Sequence, residues 1–247
     1  MTNSNYNSDE IDALEKISDE YLNPDPGRIV DIKLVTMMLD EVLPWINGPE
    51  VLEMGVGDDI WTARIINKIG RSNIVDASVK LLKTCKEKYK EKMQTYESLF
   101  ENFKPDKKFD TIIASYILEH VEDPVLVLKN ASEWLNSTGK LIAIVPHAGS
   151  FHRRLAVAMG LHNNLTDLQE VDHRLGHRRV YTIEAFDKDI TDAGYNIQKR
   201  TGFFTKFLPQ AMMTNMSDGM LKGFMNLSMQ LPIEYAASIA FICTPKR

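Results

Sequence analysis

Two glycines flanked by two acids carry the sharpest chemical signal in this 247-residue chain. In Val51-Leu52-Glu53-Met54-Gly55-Val56-Gly57 an apolar run leads directly into a turn. Gly55 and Gly57 let the backbone bend tightly and let a ligand approach where side chains would collide, at the carboxyl end of a strand, which is where open α/β sheets bind ligands. Asp76 follows 21 residues after Gly55, the position of an acid that accepts hydrogen bonds from both hydroxyls of a ribose, with Ala77 beside it. A nicotinamide fingerprint, G-x-G-x-x-G, would need glycine at position 60 for close packing of helix on strand, and Ile60 stands there. A nicotinamide-dependent oxidoreductase is thereby disfavoured and kept as an alternative.

A second constellation lies further along. Five of the six histidines fall at positions 147, 152, 162, 173 and 177, together with Arg153, Arg154, Arg174, Arg178 and Arg179, and no lysine occurs between Lys140 and Lys188. A solvated face mixes lysine with arginine, whereas arginine alone suits planar, bidentate recognition of a carboxylate or phosphate. The competing expectation is a set of ion pairs to Asp167, Glu170, Asp172 and Glu184. His147, directly after an apolar strand, has the best address for a general base near neutral pH, and His120 is a second catalytic candidate. Arg178 and Arg179 with His177 lead the acceptor-binding set, Arg153 and Arg154 follow, and Tyr116 and Tyr181 are candidate wall residues. His173 and His177 are four apart and could share a helix face, but no acidic motif accompanies them, so no metal is expected.

The elements that must position these groups follow from periodicity. After a polar stretch at 1–8, Ser8 or Asp9 caps a first helix with Ile11, Leu14 and Ile17 on one face, and Asn23-Pro24-Asp25-Pro26-Gly27 breaks it. A second helix spans 28–43 with Ile29, Ile32, Val35, Leu39 and Val42 at spacings of three and four. Strands at 51–54, 73–75, 94–96, 111–114 and 141–145 then alternate with helices at 58–69, 78–89 and 124–135. This pattern predicts a doubly wound, mostly parallel sheet with helices on both faces. Residues 146–181 interrupt it as a lid. A helix at 182–193, a strand at 195–200, a methionine-rich helix at 217–229 and a last strand at 237–243 complete it. Met212, Met213, Met216, Met220, Met225 and Met229 read as packing, a flexible cover, or a surface for a second copy of the chain.

The stretch Glu53-x-Gly55-x-Gly57 resembles motif I of the class I S-adenosylmethionine-dependent methyltransferases. Phe109-Asp110-Thr111-Ile112-Ile113-Ala114-Ser115, followed by Leu118-Glu119-His120-Val121-Glu122-Asp123-Pro124, is similar to that family's fourth strand and its LEHV-x-DP continuation. The resemblance covers roughly residues 50–145 and departs at Asp59, where many members carry a third glycine. It implies a seven-stranded sheet whose last strand runs antiparallel, S-adenosyl-L-methionine as cofactor, and a cofactor site of Glu53, Gly55, Gly57, Asp76, Ala77, Leu99, Phe100 and Ser115. Leu99 and Phe100 would cradle the adenine without the acid many relatives place there. Glu119 is expected to shape the cofactor-side wall. The D/N-P-P-Y motif of enzymes that methylate nucleobase amines is missing at Ser115-Tyr116-Ile117-Leu118, which weighs against that substrate class. The expected activity is methyl transfer to an oxygen or nitrogen of a small anionic metabolite, against a catalytically silent protein of the same fold.

Composition sets the outer bounds. A formal charge of -5 and a content of 44% hydrophobic and 26% charged residues fit a water-soluble chain with no electrostatic grip on nucleic acid or an anionic membrane. Cys85 and Cys243 are too few and too far apart for a disulfide framework. No leader or membrane-spanning run is read, so the expected organisation is one cytoplasmic methyltransferase domain over 1–247. Its parts are N-terminal helices 8–44, cofactor core 50–145, lid 146–181, and C-terminal helix and strands 182–247, with a homodimer as one expected assembly.

Overall fold

Seven strands form one sheet: β1 (Val51–Met54), β2 (Ser72–Asp76), β3 (Met93–Glu97), β4 (Phe109–Ser115), β5 (Leu135–Pro146), β6 (Tyr195–Phe203) and β7 (Ser238–Pro245). The structure, a computed structural model, describes residues 16–18, 21–22, 26–208 and 210–246. The expected tail at 1–8, its cap, Ile11, Leu14 and most of the 23–27 break lie outside these residues. The strand order is β3-β2-β1-β4-β5-β7-β6. β1 to β5 pair in parallel, while β7 runs antiparallel between β5 and β6, in accord with the expected topology.

Alternation along each strand assigns side chains to two faces. On one, Leu52, Met54, Ile112, Ala114, Leu141 and Ala143 pack under α4 (Pro124–Trp134) and α7 (Ile183–Asp192). On the other, Val51, Ile113, Ile142 and Ile144 pack under α1 (Pro26–Val42), α2 (Ile60–Ile69) and α9 (Asp218–Ser228). A third cluster joins α3 (Val79–Tyr89), through Leu81, Leu82 and Cys85, to Ile74 and Met93. Cys85 and Cys243 are buried free thiols, both pushed up to about 12 by burial. Among the described residues no helix is long and apolar enough to cross a membrane.

Several expectations need correction. Ile29, placed on the buried face of α1, is 46% exposed, and the face that packs instead carries Val30, Leu34 and Met38 beside Leu39 and Val42. The helix after Gly57 starts at Ile60, because Asp59 takes a left-handed φ of 54° as its N-cap. This is the position at which the motif resemblance leads one to expect glycine. Here an aspartate tolerates that backbone region, and its carboxylate pairs with Lys88 at 2.7 Å. The methionine-rich segment is two helices, α8 (Gln210–Met213) and α9, with Ser217 as N-cap of the latter and Met213 and Met225 buried. Residues 146–181, expected as a lid, carry two short helices, α5 (Phe151–Ala158) and α6 (Glu170–Arg174).

Candidate active site

The strand order reverses between β1 and β4, and the turns that follow them open a cleft of about 1170 Å³ above the carboxyl edge of the sheet. Gly55 has φ +79°, a left-handed backbone that strains any side chain, and a Cβ there would have to displace the tip of Ile117, 2.5 Å away. Asp76, at the end of β2, accepts hydrogen bonds from the backbone N–H of Val56 at 2.8 Å and of Ser78 at 2.7 Å. One carboxylate thus ties the turn after β1 to the turn after β2.

Glu53 faces α2 and accepts a hydrogen bond from Thr62 Oγ1 at 2.6 Å. Burial raises its pKa well above the ordinary carboxylate range. Ala77, Ser98, Leu99, Phe100 and Ser115 line the same cleft, and Ser115 Oγ, though buried, has no hydrogen-bond partner among the described residues. Tyr116 holds a left-handed φ of 57°, and its hydroxyl lies 2.7 Å from Ser238 Oγ, which fixes its ring in the cleft wall.

His147 also lines the cleft and is 4% exposed. Its Nδ1 lies 2.9 Å from the carbonyl oxygen of Ala236. A carbonyl only accepts, so Nδ1 carries the proton and Nε2 is left with the lone pair. Burial lowers the pKa of this imidazole from 6.5. It is therefore neutral and able to accept a proton at pH 7.

The lysine-free arginines do something other than expected. Arg179 lies outside the cleft wall, with its guanidinium donating to the carbonyl oxygens of Leu118 at 2.8 Å, Val121 at 2.5 Å and Glu122 at 3.0 Å. Beside it, the Arg178 backbone N–H donates to Glu119 O at 2.8 Å and its Nε to His120 O at 2.9 Å. Arg153 is 6% exposed, pairs with Asp172 at 2.7 Å and donates to Asp167 O at 2.8 Å. Arg154 points away, donating to Gly149 O at 2.6 Å and lying over the Tyr235 ring. Tyr181 is buried in the core, its hydroxyl donating to Asp189 at 3.0 Å, and is not a wall residue. Of the expected acceptor-binding residues, His177, Arg178, Arg153 and Tyr116 reach the cleft, whereas Arg154, Arg179 and Tyr181 do not.

Two further histidines are neutral by burial. His120 and His152 are each depressed to about 3 by burial, so both rings are neutral at pH 7. Sequence reasoning also missed part of the wall. Arg28, paired with Asp58 at 2.5 Å and stacked over Tyr21, and Lys206, paired with Asp31 at 3.1 Å, both line the cleft. The usable signal was the polar Arg28 and Asp31 amid the apolar residues of α1.

The comparisons with known proteins fit this geometry. Residues 7–200 match the model of a methyltransferase-domain family, and the chain belongs to that family. No curated protein matches it in sequence. Among solved structures, a Thermotoga maritima S-adenosylmethionine-dependent methyltransferase is similar at a TM-score of 0.64 and 17% identity, over 96% of this chain and 99% of that one. A Clostridium acetobutylicum S-adenosylmethionine-dependent methyltransferase gives 0.57 and 13% over 96% and 99%. The N-methyltransferase NodS of Bradyrhizobium japonicum, crystallised with S-adenosyl-L-homocysteine, gives 0.56 and 11% over 96% and 97%. The fold is that of the class I S-adenosylmethionine-dependent methyltransferases.

The Arg179 contacts generate a stability prediction. Arg179→Ala removes three donations from one cation to backbone carbonyls, partly screened at the surface, and should cost about 1–3 kcal/mol. Thermal denaturation followed by circular dichroism should show a melting temperature lowered by several degrees. An unchanged melting temperature would show that these contacts do not hold the loop.

Proposed function

We propose that this chain is an S-adenosylmethionine-dependent methyltransferase acting on an oxygen or nitrogen of a small anionic metabolite. The observation that carries the reading is the Asp76 carboxylate bridging the Gly55-Val56-Gly57 turn to the start of α3. Together with the left-handed Gly55, it makes a nucleoside cradle suited to this cofactor. Asp76 would hold the ribose, the backbone of Gly55 to Gly57 the amino-acid portion, and Leu99 and Phe100 the adenine. When bound, S-adenosylmethionine supplies a methyl group already activated by the sulfonium charge.

The chain's own residues then have positioning work. His147 Nε2 takes the proton of the acceptor's hydroxyl or amine, with its tautomer held by Ala236 O. Residues of the 146–181 segment, among them Pro146, His147 and His177, form one wall of the cleft, where they would limit water at the reacting atoms. Arg153 is sealed against Asp172, whereas Arg178 lines the cleft with only its Nε engaged among the described residues, so Arg178 is the arginine assigned here to a carboxylate or phosphate. The oxidoreductase alternative is disfavoured by Ile60, which occupies the third-glycine position and lines the cleft. Incubation with methyl-labelled S-adenosylmethionine and fractionated metabolites, followed by identification of the labelled product, separates an active enzyme from a silent one.

Three predictions follow from these assignments. Asp76→Ala should weaken S-adenosylhomocysteine binding at least about tenfold by titration calorimetry, since charge-assisted hydrogen bonds are worth ~1.5–3 kcal/mol each. Unchanged affinity in the folded variant removes Asp76 from the site. His147→Gln should lower kcat by roughly 10²–10⁴ with cofactor affinity retained. Because protonation of a depressed imidazole begins only at lower pH, the wild-type acid limb of kcat/KM should fall below pH 6.5. A limb above that value, or a threefold or smaller loss in the variant, excludes His147 as the base. Arg178→Lys keeps the charge without the fork and should reduce kcat/KM about ten- to hundredfold for a charged acceptor only. Equal losses with an uncharged analogue would remove Arg178 from acceptor recognition.

A further inference from the structure

Glu119 is an anomaly. Its carboxyl is fully buried, and neither oxygen has a hydrogen-bond partner among the described residues. A carboxylate removed from water without donors is costly, and such groups are normally paired or coordinate metals. The cation chemically nearest, Arg179, spends its donors on the Leu118, Val121 and Glu122 carbonyls. What does face Glu119 is a pair of imidazoles. His120 and His177 stand edge to face with ring centroids 4.8 Å apart, and one ligand atom from each of the three residues lies within 4.8 Å of the others.

We propose that Glu119, His120 and His177 form a binding site for a divalent first-row transition ion in the cleft wall, with a coordination position open to a ligand. The donor set supports this. Two imidazoles and one carboxylate with a position left over is the pattern of catalytic zinc and of open iron sites, and it does not suit calcium or magnesium, which prefer all-oxygen shells. Metal–ligand bonds of about 2 Å put ligand atoms roughly 3.3 Å apart, a small closure from the observed separations and within reach of side-chain rotation.

The outer contacts are also those of a metal site. His177 Nδ1 lies 3.1 Å from Asp172 Oδ1, which places a carboxylate beside the ring as in sites where a second carboxylate supports a ligating histidine. Asp172 is itself held by Arg153 at 2.7 Å and by the Gln169 N–H at 2.9 Å. The two histidines are distant in sequence and meet because the Arg178 N–H and Nε are fastened to Glu119 O and His120 O. All three residues line the same cleft as His147, so the open position faces the acceptor. Use of the ion to orient an acceptor oxygen rests on the methyl-transfer reading, but the site itself does not.

The test is calorimetric titration of the chelator-stripped full chain with Zn²⁺ alone, with no methyl donor or acceptor present, so that its outcome is independent of methyltransferase activity. One ion per chain should bind with a Kd of about 10⁻⁶ M or tighter. Glu119→Gln and His177→Gln should each weaken binding at least about a hundredfold, and Asp172→Asn about ten- to hundredfold. His173→Gln, on the exposed neighbour four residues away, should change nothing. Co²⁺ substitution should give visible absorption bands that disappear in His177→Gln, a variant at a partly buried site that keeps the question open to test should Glu119→Gln misfold. Lack of saturable binding, retention of wild-type affinity in folded His177→Gln, or an equal loss in His173→Gln would each overturn the proposal.

Discussion

The constraint on which the rest of this structure depends is the reversal of strand order between β1 and β4. Right-handed crossovers send β1, β2 and β3 in one direction across the sheet and β4 and β5 in the other, so the connections part at the carboxyl edge and leave it uncovered. Every group with chemical potential then collects there. Gly55 and Gly57 follow β1, Asp76 ends β2, Ser115 and Tyr116 follow β4, and His147 follows β5. The apolar period of two that builds the strands also settles which residues cannot take part. Leu52 is committed to the core on one face, while Glu53 turns to Thr62 on the other.

A second interaction decides the shape of the acceptor side. The segment around Gly176 to Arg179 is fastened to the loop 118–122 by the backbone and guanidinium donors of Arg178 and Arg179. Loop carbonyls left without donors inside a protein are costly, and a guanidinium with five N–H groups can satisfy several at once. This explains the preference for arginine over lysine in this stretch as well as anion recognition does. It also has a chemical consequence, since it brings His177 against the adjacent pair Glu119 and His120, far from it in sequence. The wall of the cleft is therefore built from donors spent on backbone and donors left for ligands, and only coordinates separate the two.

The strands, their order in the sheet, the glycine turn after β1 and the acid at the end of β2 were legible in the residues and in the family resemblance they carry. These are local features: alternation within a strand, a glycine at a left-handed turn and an acid at a strand end express short-range sterics that neighbours in sequence already specify. The place of His147 after β5 was legible for the same reason. Tertiary structure alone decided the rest. Ile29 was read as buried and is exposed, because which face of α1 packs depends on elements far along the chain, including α9. Arg179, Arg154 and Tyr181 were read as site residues and turn out to hold loops and core, because a donor's partner is set by what the fold brings within 3 Å and not by its residue type. His177 was paired in sequence with His173 by helical spacing, yet in space it meets Glu119 and His120, since α6 ends at Arg174 and the Arg178 contacts turn the following chain back onto the β4 loop.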